Sequence, residues 1–147
     1  MKKIIGNILE VKAPAIIVHQ VNCKGVAGAG LALAIRKKWP DWHKHYQFNP
    51  PSLGAIDQYE VEPGIEVCSF YAQDSFGQGL QTNYDAFLLC LKRLRLALAE
   101  KRNPTTVFFP YKIGCGLAGG DWDIVSQFIE DEFPEAVIVE LPKRKNQ

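Results

Sequence analysis

Short apolar runs rich in β-branched residues alternate along this chain with segments whose apolar residues recur at helical spacing. Runs of the first kind predict strands. They lie at Lys2–Ile5, Ala15–Val21, Ile56–Val61, Glu66–Ala72, Thr105–Pro110 and Ala136–Leu141. The unbroken run Ala15–Val21 is typical of a strand in the middle of a sheet, buried on both faces.

Helical spacing predicts two shorter helices and one long one. Ala29–Trp39 is expected to end at Pro40, and Asp121–Phe133 to begin at a cap formed by Asp121. We expect Asp41–Tyr46 to add a helical turn before the break at residues 49–51. The long helix opens at Thr82-Asn83-Tyr84-Asp85, which has the form of a capping box. Its apolar stripe consists of Tyr84, Phe87, Leu88, Leu91, Leu94 and Leu98. The alternation predicts an α/β fold, with one mixed sheet and helices on both faces.

Two glycine-rich loops, Val21–Gly30 and Ile113–Gly120, each join a predicted strand to a predicted helix. Backbone N–H groups and the positive end of a helix dipole converge at such a junction and favour an anion there. The first loop has P-loop spacing, but Leu31 and Ala32 stand where lysine and a hydroxyl are needed, which excludes a nucleoside triphosphatase. The second matches G-x-G-x-x-G, too near the end of the chain to open a dinucleotide-binding domain. The pair predicts a ligand with phosphates and sugars held from both sides.

Composition limits the remaining classes of protein. The chain has 147 residues, of which 47% are hydrophobic, and a net charge of +1. This fits one domain over residues 1–147 with a short basic tail at 143–147, and gives no broad basic field for nucleic acid as the main ligand. The four cysteines show no C-x-x-C pairing, so we expect reduced thiols and no metal or cofactor. No signal peptide or apolar span is visible, and we expect a cytoplasmic monomer with no membrane contact.

Five motifs together, in this order and strand context, resemble the macrodomains that bind ADP-ribose, over nearly the whole chain. They are Gly6-Asn7-Ile8, His19-Gln20-Val21-Asn22-Cys23, Gly28-Ala29-Gly30-Leu31-Ala32, Ile113-Gly114-Cys115-Gly116-Leu117 and Asp121-Trp122. The chain looks most like the branch of ADP-ribose-1″-phosphate processing enzymes. The terminal ADP-ribose protein glycohydrolase and macrodomain antitoxins against DNA ADP-ribosylation are relatives. The resemblance implies a single-domain, three-layer α/β/α macrodomain with a central mixed sheet.

The resemblance also implies a set of ligand-binding residues. They are Asn7, Ile8, Asn22, Gly28, Ala29, Gly30, Gly114, Cys115, Gly116, Leu117 and Ala118. Asn7 corresponds to an acidic residue that contacts the adenine amino group, although it could equally close the turn after Gly6. Asn22 corresponds to the asparagine at the distal ribose. The first loop would lie along ribose and phosphate, and the second would wrap the diphosphate with backbone donors.

Departures from the family pattern disfavour a lysine nucleophile. Gln81 or Leu80 stands where the glycohydrolase and its antitoxin relative have lysine, and Ala118 replaces the glycohydrolase's aspartate. The remaining acid–base candidates are His19 and Asp74. The yeast phosphatase relative has a histidine matching His19, but a lone histidine in an apolar strand is also a common core residue. Asp74 could position water or bind a ribose hydroxyl, or simply open the loop as an Asx-turn.

Cys115, between two glycines, could be a thiolate nucleophile. Cysteine phosphatases place arginine six residues later, and Asp121 stands there, so we prefer small size for loop packing as its role. We expect an ADP-ribose-binding hydrolase acting on a group at the distal ribose. The substrate is either ADP-ribose-1″-phosphate or an ADP-ribosyl adduct of protein or nucleic acid. The alternatives are a reader that binds ADP-ribose without turnover, and a partner-binding protein with Trp39, Trp42 and Tyr46 exposed.

Overall fold

The central sheet has six strands in the order β1-β6-β5-β2-β4-β3 in a computed structural model that describes residues 1–48 and 52–143. β3 runs antiparallel to β4, and the other neighbouring strands pair in parallel. The strands are β1 Lys2–Ile5, β2 Ala15–Asn22, β3 Ile56–Glu62, β4 Ile65–Gln73, β5 Thr106–Pro110 and β6 Val137–Glu140. The helices are α1 Gly30–Lys38, α2 Pro40–Phe48, α3 Tyr84–Ala99 and α4 Trp122–Glu132. The predicted mixed α/β sheet is confirmed, and each predicted strand ends within about one residue of the observed end.

Helices cover both faces of the sheet, as the predicted three-layer α/β/α arrangement requires. Alternate residues of β2 face opposite layers: Ile16 and Val18 pack with α3 and α4, whereas Ile17 and Val21 face the other side. That second side is covered by α1 and α2, through Ile35 among others. Because β2 is buried on both faces, its sequence is a continuous apolar run rather than an alternating one.

Two local predictions need correction, and one short element was not predicted. The side chain of Asn83, not Thr82, caps α3 by accepting a hydrogen bond from the Ala86 backbone N–H at 2.9 Å. The Thr82 hydroxyl instead donates to the carbonyl of Gly114 at 2.6 Å. The expected single turn after Pro40 is the full helix α2. A 3-10 helix at Ile8–Glu10 was not predicted. The predicted cap of α4 by Asp121 is confirmed.

The predicted exposed aromatic surface is wrong. Trp42 and Tyr46 are fully buried, and their rings stack with centroids 5.1 Å apart beneath α2. Trp39 is half-buried, and its indole N–H donates to Glu62 at 3.1 Å. The helical spacing of residues 42 and 46 directs both rings from one face of α2 into the core. The partner-binding hypothesis therefore loses the surface on which it rested.

Both glycine-rich loops follow parallel strands, the first after β2 and the second after β5. Since β2 and β5 are parallel neighbours, their carboxyl ends meet at one edge of the sheet, where ligands of open α/β sheets commonly bind. The break at residues 49–51 and most of the basic tail, residues 144–147, lie outside the described residues. Over the described ranges, no helix has the length and apolar character that a bilayer crossing requires.

Candidate functional site

A cleft of about 610 Å³ opens at the carboxyl ends of β2 and β5, between the two glycine-rich loops. It is lined by residues of both loops and by side chains at the end of β2. The sequence-predicted residues that line it are His19, Asn22, Gly28, Ala29, Gly30, Gly114, Gly116, Leu117 and Ala118. The structure therefore brings together most of the predicted site, in a space large enough for a nucleotide-sized ligand.

The side chain of Asn22 organises the first loop. Its Nδ2 donates to the Val26 carbonyl at 2.8 Å, and its Oδ1 accepts from the backbone N–H groups of Lys24 and Val26 at 3.0 and 3.2 Å. The Tyr46 hydroxyl donates to Asn22 Oδ1 at 2.9 Å from within the core. Asn22 is only 6% exposed, so these contacts replace lost hydration and fix the loop.

The N-terminus of α1 forms the wall of the cleft next to this loop. The helix begins at Gly30, and its N-cap residue Ala29 makes no side-chain hydrogen bond to the first turn. The first N–H groups of a helix lack partners within the helix and are commonly satisfied by a capping side chain, water or a ligand. No side chain at the cap position serves them here, and the residues concerned line the cleft. An anion placed there would be favoured by both the N–H groups and the helix dipole.

The second loop is fixed by close backbone packing. A Cβ at Gly120 would lie 2.6 Å from the Gly114 carbonyl oxygen, and one at Gly119 would lie 2.8 Å from the Gly79 carbonyl oxygen. Gly119 also has a φ of +73°. At Gly116, by contrast, an added Cβ would meet no atom within 4 Å, because this residue faces open space. The loop is thus anchored at both ends and open at Gly116 toward the cleft.

His19 lines the cleft but is 1% exposed. Its Nε2 shares a hydrogen bond of 2.8 Å with the Ser69 hydroxyl, and its ring packs edge-on against Trp42 with centroids 5.0 Å apart. Burial lowers the pKa of His19 to about 3. The imidazole is therefore neutral at pH 7, and a group with so low a pKa is a weak proton acceptor there.

Asp74 lies directly after β4, on the predicted loop, yet it does not line the cleft. Its carboxylate is 67% exposed and lies 3.8 Å from the Lys24 ammonium. Its backbone carbonyl accepts a hydrogen bond from the Cys23 N–H at 3.1 Å, which ties the end of β4 to the first loop. The predicted group of His19, Asn22 and Asp74 is thus only partly assembled: the first two line the cleft, and the third lies outside it.

Cys115 does not line the cleft, although it lies between two residues that do. Its Sγ lies 3.3 Å from the Ile113 carbonyl, to which the thiol donates. Burial, followed by the nearby Asp121 carboxylate, raises the pKa of Cys115 to about 11. The thiol is therefore protonated at neutral pH, which favours the packing role over the nucleophilic one.

Asn7 and Ile8 also lie outside the cleft. The Asn7 Oδ1 accepts from the Leu9 N–H at 2.9 Å and so caps the 3-10 helix, and Ile8 is buried in the core. The Asn7 side-chain oxygen is thus engaged in a local backbone hydrogen bond, as the alternative role of closing the turn after Gly6 requires. Asn7 does line a smaller cavity of about 340 Å³, together with Phe108 and Val139. Contact with adenine remains a prediction for both residues.

The sequence reasoning missed several residues that line the cleft, among them Gln20, Gln73 and Lys112. Of these residues, Lys112 is the one expected to contribute most to the electrostatic potential of the cleft. Among the described residues that line the cleft, no carboxylate is present and Lys112 is the only lysine or arginine. Its position directly before the second loop was the available signal. Within the described ranges, no cluster of three or more histidine, cysteine, aspartate or glutamate side chains could hold a metal ion.

Comparison with known protein families finds no family model that matches the chain. An ADP-ribose 1″-phosphate phosphatase of Neosartorya fischeri is 28% identical over 75 residues, which span 51% of this chain and 38% of that protein. The chain therefore aligns with well under half of this relative's length. An uncharacterized 17.5 kDa protein of Enterobacteria phage T4, encoded in the tk-vs intergenic region, is 26% identical over 121 residues, or 78% of this chain and 77% of that protein.

Solved structures match over almost the full length. A protein of unknown function from Bacteroides thetaiotaomicron superposes with a TM-score of 0.84 and 29% identity, covering 96% of this chain and 97% of that one. A macrodomain protein from Streptomyces coelicolor gives a TM-score of 0.78 and 26% identity, covering 97% and 99%. Thermosipho africanus DarTG, solved in complex with ADP-ribose, superposes with a TM-score of 0.79 and 19% sequence identity, covering 97% of this chain and 43% of that one. This last likeness is one of fold.

Proposed function

We propose, from the premise that this chain is a macrodomain, that its cleft binds ADP-ribose between the two glycine-rich loops. The observation that carries the proposal is the cleft itself. Backbone donors border it on two sides, one lysine supplies positive charge, and among its described lining residues no carboxylate opposes an anion. Two structures that share the fold, Thermosipho africanus DarTG and a Trypanosoma brucei macrodomain, were solved with ADP-ribose bound.

In this proposal the diphosphate lies between the N-terminus of α1 and the second loop. The uncapped first turn of α1 and the open backbone around Gly116 are the groups suited to phosphate oxygens. Asn22 would set the position of the distal ribose through the loop it organises, and Gly28 and Ala29 would lie along the sugar. The base would extend away from the glycine loops, toward the second cavity beside Asn7.

Isothermal titration calorimetry with ADP-ribose, ADP and AMP tests this proposal. ADP-ribose is expected to bind at least about tenfold more tightly than ADP, because only ADP-ribose presents a distal ribose to the first loop. Equal affinities for ADP and ADP-ribose would remove the distal ribose from the site. Absence of binding to all three ligands would contradict the proposal as a whole.

We propose hydrolysis at the distal ribose as a second function, favoured by the similarity to the ADP-ribose 1″-phosphate phosphatase. In that reaction water attacks phosphorus, the bond between phosphorus and the ribose oxygen breaks, and that oxygen takes up a proton, so that inorganic phosphate and ADP-ribose are formed. His19 is the candidate to hydrogen-bond the reacting group as a neutral imidazole, and Asp74 is the candidate proton acceptor. The reaction requires the Asp74 carboxylate to leave Lys24 and approach the ligand.

A substrate panel separates turnover from binding alone. It contains ADP-ribose-1″-phosphate, ADP-ribosylated proteins and ADP-ribosylated DNA, and product release is followed for the wild type, His19→Ala and Asp74→Ala. For a hydrolase, each variant is expected to lower kcat by about a hundredfold, with little change in the Kd of ADP-ribose. Tight binding of ADP-ribose with no turnover of any member of the panel would identify a reader instead.

A further inference from the structure

Lys112 has a backbone conformation that an L-amino acid adopts at a cost. Its φ is +60°, and among residues 1–48 and 52–143 no other non-glycine residue has a positive φ. It occupies the third position of a turn in which the Ile113 N–H donates to the Pro110 carbonyl at 3.1 Å. Glycine and asparagine favour a positive φ at that position, whereas lysine is strained there. Strain of this kind concentrates at functional sites, so the side chain itself needs an explanation.

Among the residues that the structure describes, the Lys112 ammonium has no partner of opposite charge. Within the described part of the chain, it forms no ion pair and no hydrogen bond. Its nearest aromatic contact is the Tyr111 ring, whose centroid is 5.5 Å from Nζ. Lys3 lies over the same ring at 4.5 Å, but its ammonium is paired with Glu140 at 3.1 Å. Of these two lysines on one ring, only Lys112 lines the cleft.

We propose that Lys112 is an anion-binding side chain of the cleft and that its ammonium pairs with the diphosphate of the bound nucleotide. The inference rests on the proposed ADP-ribose binding. Lys112 is joined to the second loop by the hydrogen bond that its carbonyl accepts from the Cys115 N–H at 2.9 Å. The strained turn therefore brings the only formal positive charge among the described lining residues to the loop whose backbone faces the phosphates. It follows that diphosphate ligands gain affinity at low salt and neutral nucleosides do not.

Three variants separate charge from backbone conformation. Lys112→Asn removes the charge but tolerates the positive φ, Lys112→Arg retains the charge, and Lys3→Gln removes a neighbouring charge that does not line the cleft. The Kd for ADP-ribose is measured by calorimetry at several salt concentrations, with thermal unfolding as a check of the fold. We expect Lys112→Asn to weaken binding by about tenfold or more at low salt, with a shallower dependence on salt. Lys112→Arg and Lys3→Gln are expected to stay within about threefold of the wild type.

Two results would overturn this inference while leaving ADP-ribose binding intact. One is wild-type affinity in Lys112→Asn. The other is weaker binding in Lys112→Asn with an unchanged salt dependence, which would assign Lys112 a conformational role. If the wild type does not bind ADP-ribose, the proposed function fails. Inorganic pyrophosphate titrated into the wild type and Lys112→Asn then tests Lys112 alone: preferential binding to the wild type supports the inference, and equal or absent binding contradicts it.

Discussion

The two glycine-rich loops form opposite sides of one cleft, but different forces hold them in place. In the first loop, the side chain of Asn22 makes three hydrogen bonds to the loop backbone, and a Cβ at Gly28 would meet only Val26, at 4.0 Å. In the second loop, backbone lies so close to backbone that Gly119 and Gly120 leave no room for a Cβ. The first loop is held mainly by a polar side chain from the core. The second is held by close backbone packing, together with the hydrogen bond from the Thr82 hydroxyl to the Gly114 carbonyl.

This difference predicts that the two loops, despite their similar glycine patterns, tolerate substitution at different positions. Gly28 has space around it, so the conformation of the first loop depends mainly on Asn22 and on the Tyr46 hydroxyl that supports it. The conformation of the second loop depends mainly on Gly119 and Gly120, where a Cβ would overlap backbone atoms, while Gly116 is open to the cleft. We therefore expect a substitution at Gly116 to change ligand binding alone, and substitutions at Gly119 or Gly120 to lower stability. A substitution at Asn22 is expected to change both.

The largest expected effect on binding is at the open position of the second loop. Gly116→Glu should fold normally, because its Cβ meets no atom within 4 Å, yet it places a carboxylate where the diphosphate is proposed to lie. Affinity for ADP-ribose is expected to fall about a hundredfold or more, as measured by calorimetry. Gly116→Ala is the control and should retain most of the affinity. A folded Gly116→Glu protein with normal binding would remove the diphosphate from this loop.

Asn22→Ala should disturb the first loop and the site together. It removes three hydrogen bonds to the loop and leaves the buried Tyr46 hydroxyl with one acceptor fewer. We expect a loss of about 2–3 kcal/mol in the free energy of unfolding, together with weaker ADP-ribose binding. Urea denaturation and calorimetry measure the two effects. Tyr46→Phe is the matched control, since it removes only the supporting hydroxyl. An Asn22→Ala protein with unchanged stability would show that the loop holds its shape without this side chain.

Gly119→Ala tests the backbone packing of the second loop. Its Cβ would lie 2.8 Å from the Gly79 carbonyl oxygen, and its φ of +73° adds strain. Gly79 has a similar φ of +88° but no atom within 4 Å of its own Cβ position, so Gly79→Ala carries the strain without the overlap. We expect Gly119→Ala to lose about 2–3 kcal/mol of stability and Gly79→Ala about 1 kcal/mol. Equal losses in urea denaturation would show that close packing does not hold this loop.

The smallest expected effect is the pH dependence contributed by His19. Its pKa is about 3 in the folded protein and about 6.5 in the unfolded chain, so the unfolded state binds more protons between these values. The stability linked to His19 is therefore complete above about pH 6.5 and declines as the pH falls toward 3. Between about pH 7.5 and pH 5, the wild type should lose about 1–2 kcal/mol more than His19→Gln, whose amide can replace Nε2 beside Ser69. Parallel pH profiles for the two proteins would place His19 in a more exposed setting.

The strands and the glycine-rich loops could be predicted because their signals are local. β-branched runs such as Ala15–Val21 specify strands, and glycines between a strand and a helix specify the loops. Thr82 and Asn83 are both good caps, and only the contact between Thr82 and Gly114 decides which residue caps α3. The burial of Trp42 and the exposure of Asp74 likewise depend on tertiary packing, which no local pattern records.

The central claim is that both loops grip one ligand, and amide NMR tests it most directly. Isotope-labelled protein is titrated with ADP-ribose and, separately, with ADP. With ADP-ribose, the backbone amides of residues 24–30 and 113–118 should shift together along a single binding curve. With ADP, the amides of the second loop should shift more than those near Asn22. Shifts confined to one loop under ADP-ribose, or two loops that follow different binding curves, would contradict the account.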